Sequence, residues 1–178
     1  MNVVAVTESN IDMDKNAKEL DEALSMARTE NYAEAFQTCN FYIQANPNLA
    51  DGYRTRSQIY ARKGDFGDAV SDITIAMLRS EPDPKDFFFR GWWNLENGNL
   101  PASIEDLTVA ISLGKHLDFH FFDESAFFFR SIAYLRSSRF DDALSDSNHV
   151  GDDFLMYLRS GEVSKAQIVA EAKSKSRA

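Results

Sequence analysis

The apolar positions of this chain follow a helical rhythm, and that rhythm recurs along the sequence. Ala69, Ile73 and Ala76 stand at i, i+4 and i+7, and Ser103, Leu107 and Ala110 repeat the stripe. Such spacing places three residues on one face of a helix. Each stripe opens on a short pattern: a large apolar residue, two variable residues, then a small one. It occurs as Tyr32–Ala35, Phe66–Ala69, Leu100–Ser103, Phe140–Ala143 and Val163–Ala166, at successive spacings of 34, 34, 40 and 23. A second helical stretch lies upstream of most copies and carries Ala23, Ser57, Gly91 and Ser131, spaced 34, 34 and 40. A small side chain at that place lets the paired helix approach closely. Turn signals such as Lys63-Gly64-Asp65 and Asn97-Gly98-Asn99 separate the two stretches, and glycine there suits a helix end in the left-handed region. Proline-containing links, Asn46-Pro47-Asn48 and Glu81-Pro82-Asp83-Pro84, stop the helices between copies.

A period of this length is the signature of stacked supersecondary units. It predicts an all-α chain of four helix–turn–helix units over 16–49, 50–83, 84–123 and 124–150, the third carrying six extra residues. The segment 151–173 is expected to form a shortened helical hairpin that caps the open end of the stack, which such stacks require. Residues 1–15 and 174–178 are expected to be frayed ends.

Taken together, the 34-residue unit, its small positions, its aromatic positions and its turn glycines resemble the tetratricopeptide repeat family over about residues 16 to 150. The resemblance implies a right-handed α-solenoid whose first helices line a concave, protein-binding face. In the family, positions 2, 5, 9 and 12 of each unit point to that face. They fall here on Asp51, Arg54, Gln58 and Ala61, then Lys85, Phe88, Trp92 and Leu95, then Ser125, Phe128, Ile132 and Leu135. The wall so implied grades from polar to apolar. Its expected partner-binding residues are Arg54, Gln58, Lys85, Phe88, Trp92, Phe128 and Ile132, with Phe88, Trp92 and Phe128 either forming an exposed aromatic groove or being covered by the C-terminal cap folded back on them. Phe-Phe-Phe-Arg occurs at 87–90 and again at 127–130, so some of those rings must pack in the core instead. The two-carboxylate clamp of chaperone-binding relatives is missing, since unit one offers Leu20 and Leu24 where it needs lysine and asparagine.

In the C-terminal third, the runs 124–130, 139–146 and 149–154 resemble small bacterial tetratricopeptide proteins, some of which are encoded beside polymorphic toxins and act as immunity proteins. That resemblance implies a chain that neutralises a basic toxin domain by binding it. A tetratricopeptide-type secretion chaperone, holding an extended peptide client in the concave groove, is the alternative.

Composition narrows the partners further. The formal net charge is -9 and the pI about 4.8, so nucleic acid and anionic membrane are repelled, and the charge suits a basic protein partner or simply keeps the chain soluble. The single cysteine, Cys39, excludes an internal disulfide and fits a reducing compartment; a cytoplasmic location is expected, with neither signal peptide nor membrane span. Cys39 is expected to be a buried structural thiol. His116 and His120 share helical i, i+4 spacing near Asp118, Asp123 and Glu124, but no zinc motif frames them. The acidic run of Asp141, Asp142, Asp146, Asp152 and Asp153 is expected on a solvated surface. With no phosphate loop, nucleophile elbow or metal motif, no enzyme, cofactor or metal is expected, and the oligomeric state stays open.

Overall fold

The computed structural model describes residues 17–176; the expected frayed segment 1–15 lies outside the described residues. The chain divides into two compact units, Met1–Glu81 and Pro82–Ala178. In the first, α1 (17–28) and α2 (Tyr32–Ala45) form one helical hairpin, and α3 (Ala50–Lys63) and α4 (Phe66–Met77) form the next. In the second, α5 (Pro84–Glu96) pairs with α6 (Leu100–His116), and α7 (Asp123–Arg136) with α8 (Phe140–Ser147). The six extra residues lengthen α6 to 17 residues and supply the loop after it.

Close approach of the two helices in a pair explains the small positions. Ala23, Ser57, Gly91 and Ser131 are all buried. A Cβ added to Gly91 would stand 2.7 Å from Cγ of Leu107, so α5 and α6 meet where only glycine fits. The Ser57 and Ser131 hydroxyls donate back to the carbonyls of Arg54 and Phe128 at 2.6 and 2.7 Å, which satisfies them without a partner across the seam. Ala35, Ala69, Ser103 and Ala143, the small residues of the sequence pattern, are likewise fully buried. The left-handed turns after α3 and α5 fall on Gly64 and Gly98 (φ 91° and 81°), whereas Glu30 and Ser138 adopt that region in the other two hairpins.

A second device ties the paired helices, and it too is periodic. Arg56 forks onto Asp72, with Nε–Oδ2 and Nη2–Oδ1 distances of 2.7 and 2.8 Å. Arg90 grips Asp106 at 3.0 and 2.6 Å, and Arg130 grips Asp146 at 2.7 and 2.8 Å. Each arginine comes from the first helix of a pair and each aspartate, almost wholly buried, from the second. The planar fork matches a carboxylate in both contacts. Leftover donors and acceptors are used as well: Asn94 donates to Asp106 at 3.1 Å, and Arg130 Nη1 to the Thr108 hydroxyl at 2.9 Å. The pair 34 residues earlier than Arg56 and Asp72 would be Glu22 and Thr38, so the first hairpin lacks the clamp. Asp146 is therefore no part of a solvated acidic run; it is the internal counter-charge of Arg130.

The C-terminal segment departs from the expected helical hairpin. Leu155–Leu158 (β1) and Gly161–Ser164 (β2) pair antiparallel, with Leu155 opposite Ser164 and Leu158 opposite Gly161, and a single helix follows, α9 (Lys165–Lys175). Eight residues split by Gly161 at φ 112° are too few to repay helix nucleation. They alternate instead, Leu155 and Tyr157 outward and Met156 and Leu158 inward, which is strand periodicity. Val163 thus lies in a strand and Ala166 is exposed, so the fifth copy of the small-residue pattern is not a repeat. Ser164 and Gln167 form a capping box that starts α9, and this helix runs to Lys175, beyond the expected start of the tail at 174.

Because removing one member of a buried pair strands the other charge, Asp146→Ala is expected to cost about 3–5 kcal/mol of stability by urea unfolding, while an apolar replacement of both Arg130 and Asp146 costs far less.

Candidate protein-binding face

The expected concave wall is open in one unit and shut in the other. In the first unit Gln58 and Asp51 are exposed, and Arg54 is partly covered, donating to Asp51 at 3.3 Å and to the Ser80 hydroxyl at 2.6 Å. In the second unit Lys85 is exposed beside the ring of Phe119, its ammonium 5.3 Å from the centroid. The apolar members are not available. Phe88 is 3% exposed, Phe128 0% and Ile132 2%, and Trp92 is largely covered. The exposed aromatic groove expected of Phe88, Trp92 and Phe128 is thus absent, and these rings with Ile132 form the core of the second unit.

Two parts of the same chain do the covering. At the α6–α7 connection, Phe122 stacks on Phe88 with centroids 4.3 Å apart and planes 11° from parallel. Trp92 stacks on Phe129 at 5.1 Å. From the C-terminus, Phe154 lies 4.9 Å from Phe128, and Leu158, Met156, Val163 and Ile168 join the same cluster. Polar contacts fix the strands there. The Arg159 N–H donates to both Glu96 oxygens at 3.1 and 3.2 Å, at the end of α5, and Arg136 reaches the Ser160 hydroxyl at 3.3 Å, at the end of α7. Lys165 ties the base of the hairpin to the Val150 carbonyl and to Asp152, both at 2.7 Å. The hairpin therefore lies across the first helices of both pairs in this unit, where the resemblance placed a ligand. Leu155, Met156, Tyr157 and Leu158 are all apolar, so the sequence shows no alternation there, and the strand pairing is visible only in the structure.

The titratable residues show what the fold does with them. Cys39 is fully buried and burial pushes its thiol up to about 12, so it stays protonated and unreactive. His116 ends α6, and His120 sits in the following loop with its two ring nitrogens 2.8 Å from Asp123 and 3.1 Å from Asp118. The pair does not share a helical face. Hydrogen bonds donated to the Asp123 and then the Asp118 carboxylate raise the His120 pKa above the usual histidine value. Among the described residues, no cluster of three or more His, Cys, Asp or Glu side chains is arranged to hold a metal. No helix among them is long and apolar enough to cross a membrane. A void of about 10 Å³ between Phe122 and Ala110 has room for a water, and a polar depression of about 370 Å³ beside Arg139 and Lys175 lies open to solvent.

The helical pairs, their small seams and their order are those of tetratricopeptide repeat proteins, and the fold is shared with solved members of that class. The crystal structure of MamA superposes with a TM-score of 0.75 at 14% identity, covering 91% of this chain and 82% of that one. That of YrrB, described as a TPR protein with an unusual peptide-binding site, gives 0.63 at 15% identity, over 80% and 71% of the two chains. No family model matches the sequence, and no curated protein matches it.

Leu158→Asp is expected to lift the hairpin from the aromatic cluster, seen as new binding of a hydrophobic dye with helicity largely kept; unchanged dye binding would mean that the strands do not seal the wall. His120 is expected to titrate above free histidine by NMR and to move back toward it in Asp123→Asn, so the positive charge it adds to the loop persists to higher pH in the wild type.

Proposed function

We propose that this chain is a protein-binding module without catalytic activity, and that it acts as an immunity protein holding a basic toxin domain by direct contact. The observation that carries this reading is the occupied wall. With Phe88, Phe128 and Ile132 buried beneath the chain's own residues, the second unit offers a partner its polar exterior, not an apolar slot. A folded basic protein suits that exterior, because a net charge of -9 steers it in and supplies ion pairs at contact. Arg54, Gln58 and Lys85 are polar members of the expected face that remain at least partly reachable. The fold itself supports a partner protein, since repeat proteins of this class display extended surfaces for that purpose. The chaperone reading needs an open apolar groove for its client, and the hairpin now occupies that place in the second unit.

The test is co-purification with the product of the neighbouring gene. A one-to-one complex is expected, with an association rate that falls roughly tenfold or more as salt rises from about 0.05 to about 0.5 M. A complex indifferent to salt and displaced by an extended apolar peptide would favour the chaperone instead; failure to bind a neighbouring toxin sinks the immunity reading.

A further inference from the structure

The β1–β2 hairpin has only two strands, so each strand keeps one edge without a strand beside it. Residues of an antiparallel ladder alternate between facing the partner strand and facing away. The Lys165 N–H donates to the Phe154 carbonyl, which sets 154, and hence 156 and 158, on the paired side of β1. Ser164, opposite Leu155, gives its N–H to the Gln167 side chain, as a residue facing away must. Leu155 and Tyr157 therefore turn their N–H and C=O groups outward, and those groups find no partner among the described residues. Their side chains stand on the outer face, 43% and 71% exposed. An edge of this kind is a template for another strand.

The strand is also complementary to itself. Laid antiparallel on a second copy about a two-fold axis at Met156, Leu155 of one chain meets Tyr157 of the other, and Asp153 and Arg159, in the turns that flank β1, come to opposite ends of the junction. By symmetry the Leu155–Tyr157 pairing occurs twice, and each end holds Asp153 of one chain and Arg159 of the other. The Leu155 and Tyr157 backbones would close two reciprocal hydrogen-bonded pairs, and their side chains would pack across the junction, where aromatic–aliphatic neighbours are favourable. The Asp153 and Arg159 side chains are exposed and carry no ion pair among the described residues, while the Arg159 N–H is held by the Glu96 carboxylate. Opposite charge at both ends selects this register over a slip of one residue, which would turn the backbone groups of the second strand away. The net charge of -9 opposes association at long range but is screened beyond about 8–10 Å in physiological salt, while the end pairs act at contact.

We propose that β1 is a self-association edge: two copies join β1 to β1 across a two-fold axis, giving one four-stranded antiparallel sheet with Asp153–Arg159 pairs at both ends. The contact is small beside a standard protein interface, so the dimer is weak and concentration-dependent. It stands apart from the identity of any basic partner, and its test uses this chain alone.

Sedimentation velocity of the full chain from micromolar to millimolar concentration is expected to show a monomer–dimer equilibrium. Asp153→Arg and Arg159→Asp should each weaken association by about tenfold or more, and the double swap should restore it, because the pairs are then reversed but complementary. Tyr157→Pro, which removes an outward N–H and leaves the bonds to β2, should abolish the dimer while circular dichroism stays unchanged. A chain monomeric throughout, single reversals without effect, or a double swap that fails to recover the dimer would each overturn the proposal.

Discussion

A helical hairpin buries one side of each of its helices, and the last hairpin of a stack has no successor to bury the other. In this chain that constraint bears hardest on the second unit, because its first helices carry Phe88, Trp92, Leu95, Phe128, Ile132 and Leu135 on the face that other repeats leave to a partner. Left to water, those residues would form an apolar patch larger than a monomeric protein ordinarily displays. The C-terminal 25 residues, from Phe154 on, answer this in two ways. Helix α9 packs against α8 and α7 at the end of the row, and the β hairpin folds across the wall to Glu96 and Arg136. A strand pair suits the second task better than a helix. It is thin, and its alternation sends Met156 and Leu158 into the aromatic cluster while keeping Leu155 and Tyr157 out of it.

The arginine–aspartate forks play a different part from the apolar seams. Three cations and three anions are taken out of water in matched pairs, so they leave the net charge of the exterior untouched. Their worth is in register. A bidentate fork accepts one rotation of the second helix against the first, and a seam of alanine, serine and glycine, being smooth, specifies rotation poorly. The first hairpin lacks the fork and has the aromatic pair Phe36–Tyr60 near its junction with α3 instead, with centroids 4.5 Å apart.

Much of this was legible from sequence. Period, turn positions and buried small residues could be read because each is a local requirement repeated at fixed spacing: Ser57, Gly91 and Ser131 announce the seam by being small where neighbours are large. Arg56, Arg90 and Arg130 share that spacing with Asp72, Asp106 and Asp146, so the forks were written in the same period; isolated charges read as solvated until their partner helix is known. The fate of Phe88 and Phe128 could not be decided from sequence, since exposure there depends on Phe122, at the end of the third unit, and on Phe154, beyond the repeats, which arrive from 34 and 26 positions away. The hairpin was not legible, since its strands are four residues long and the first, apolar throughout, shows no alternation to set against a helical context on both sides.

Filling the groove from within alters what kind of recognition the protein can perform. An open apolar slot binds by burial, tolerates many extended sequences and discriminates weakly. A closed one leaves recognition to charge and shape on the outer surface, where wrong partners are rejected by like-charge contacts and unpaired polar groups. Recognition of that kind is what the proposed contact with one basic partner would use. The same hairpin that closes the wall also brings a new edge to the surface, at Leu155 and Tyr157. Sealing one interaction face has therefore created another, narrower one, whose specificity rests on backbone register and on the charges at its two ends.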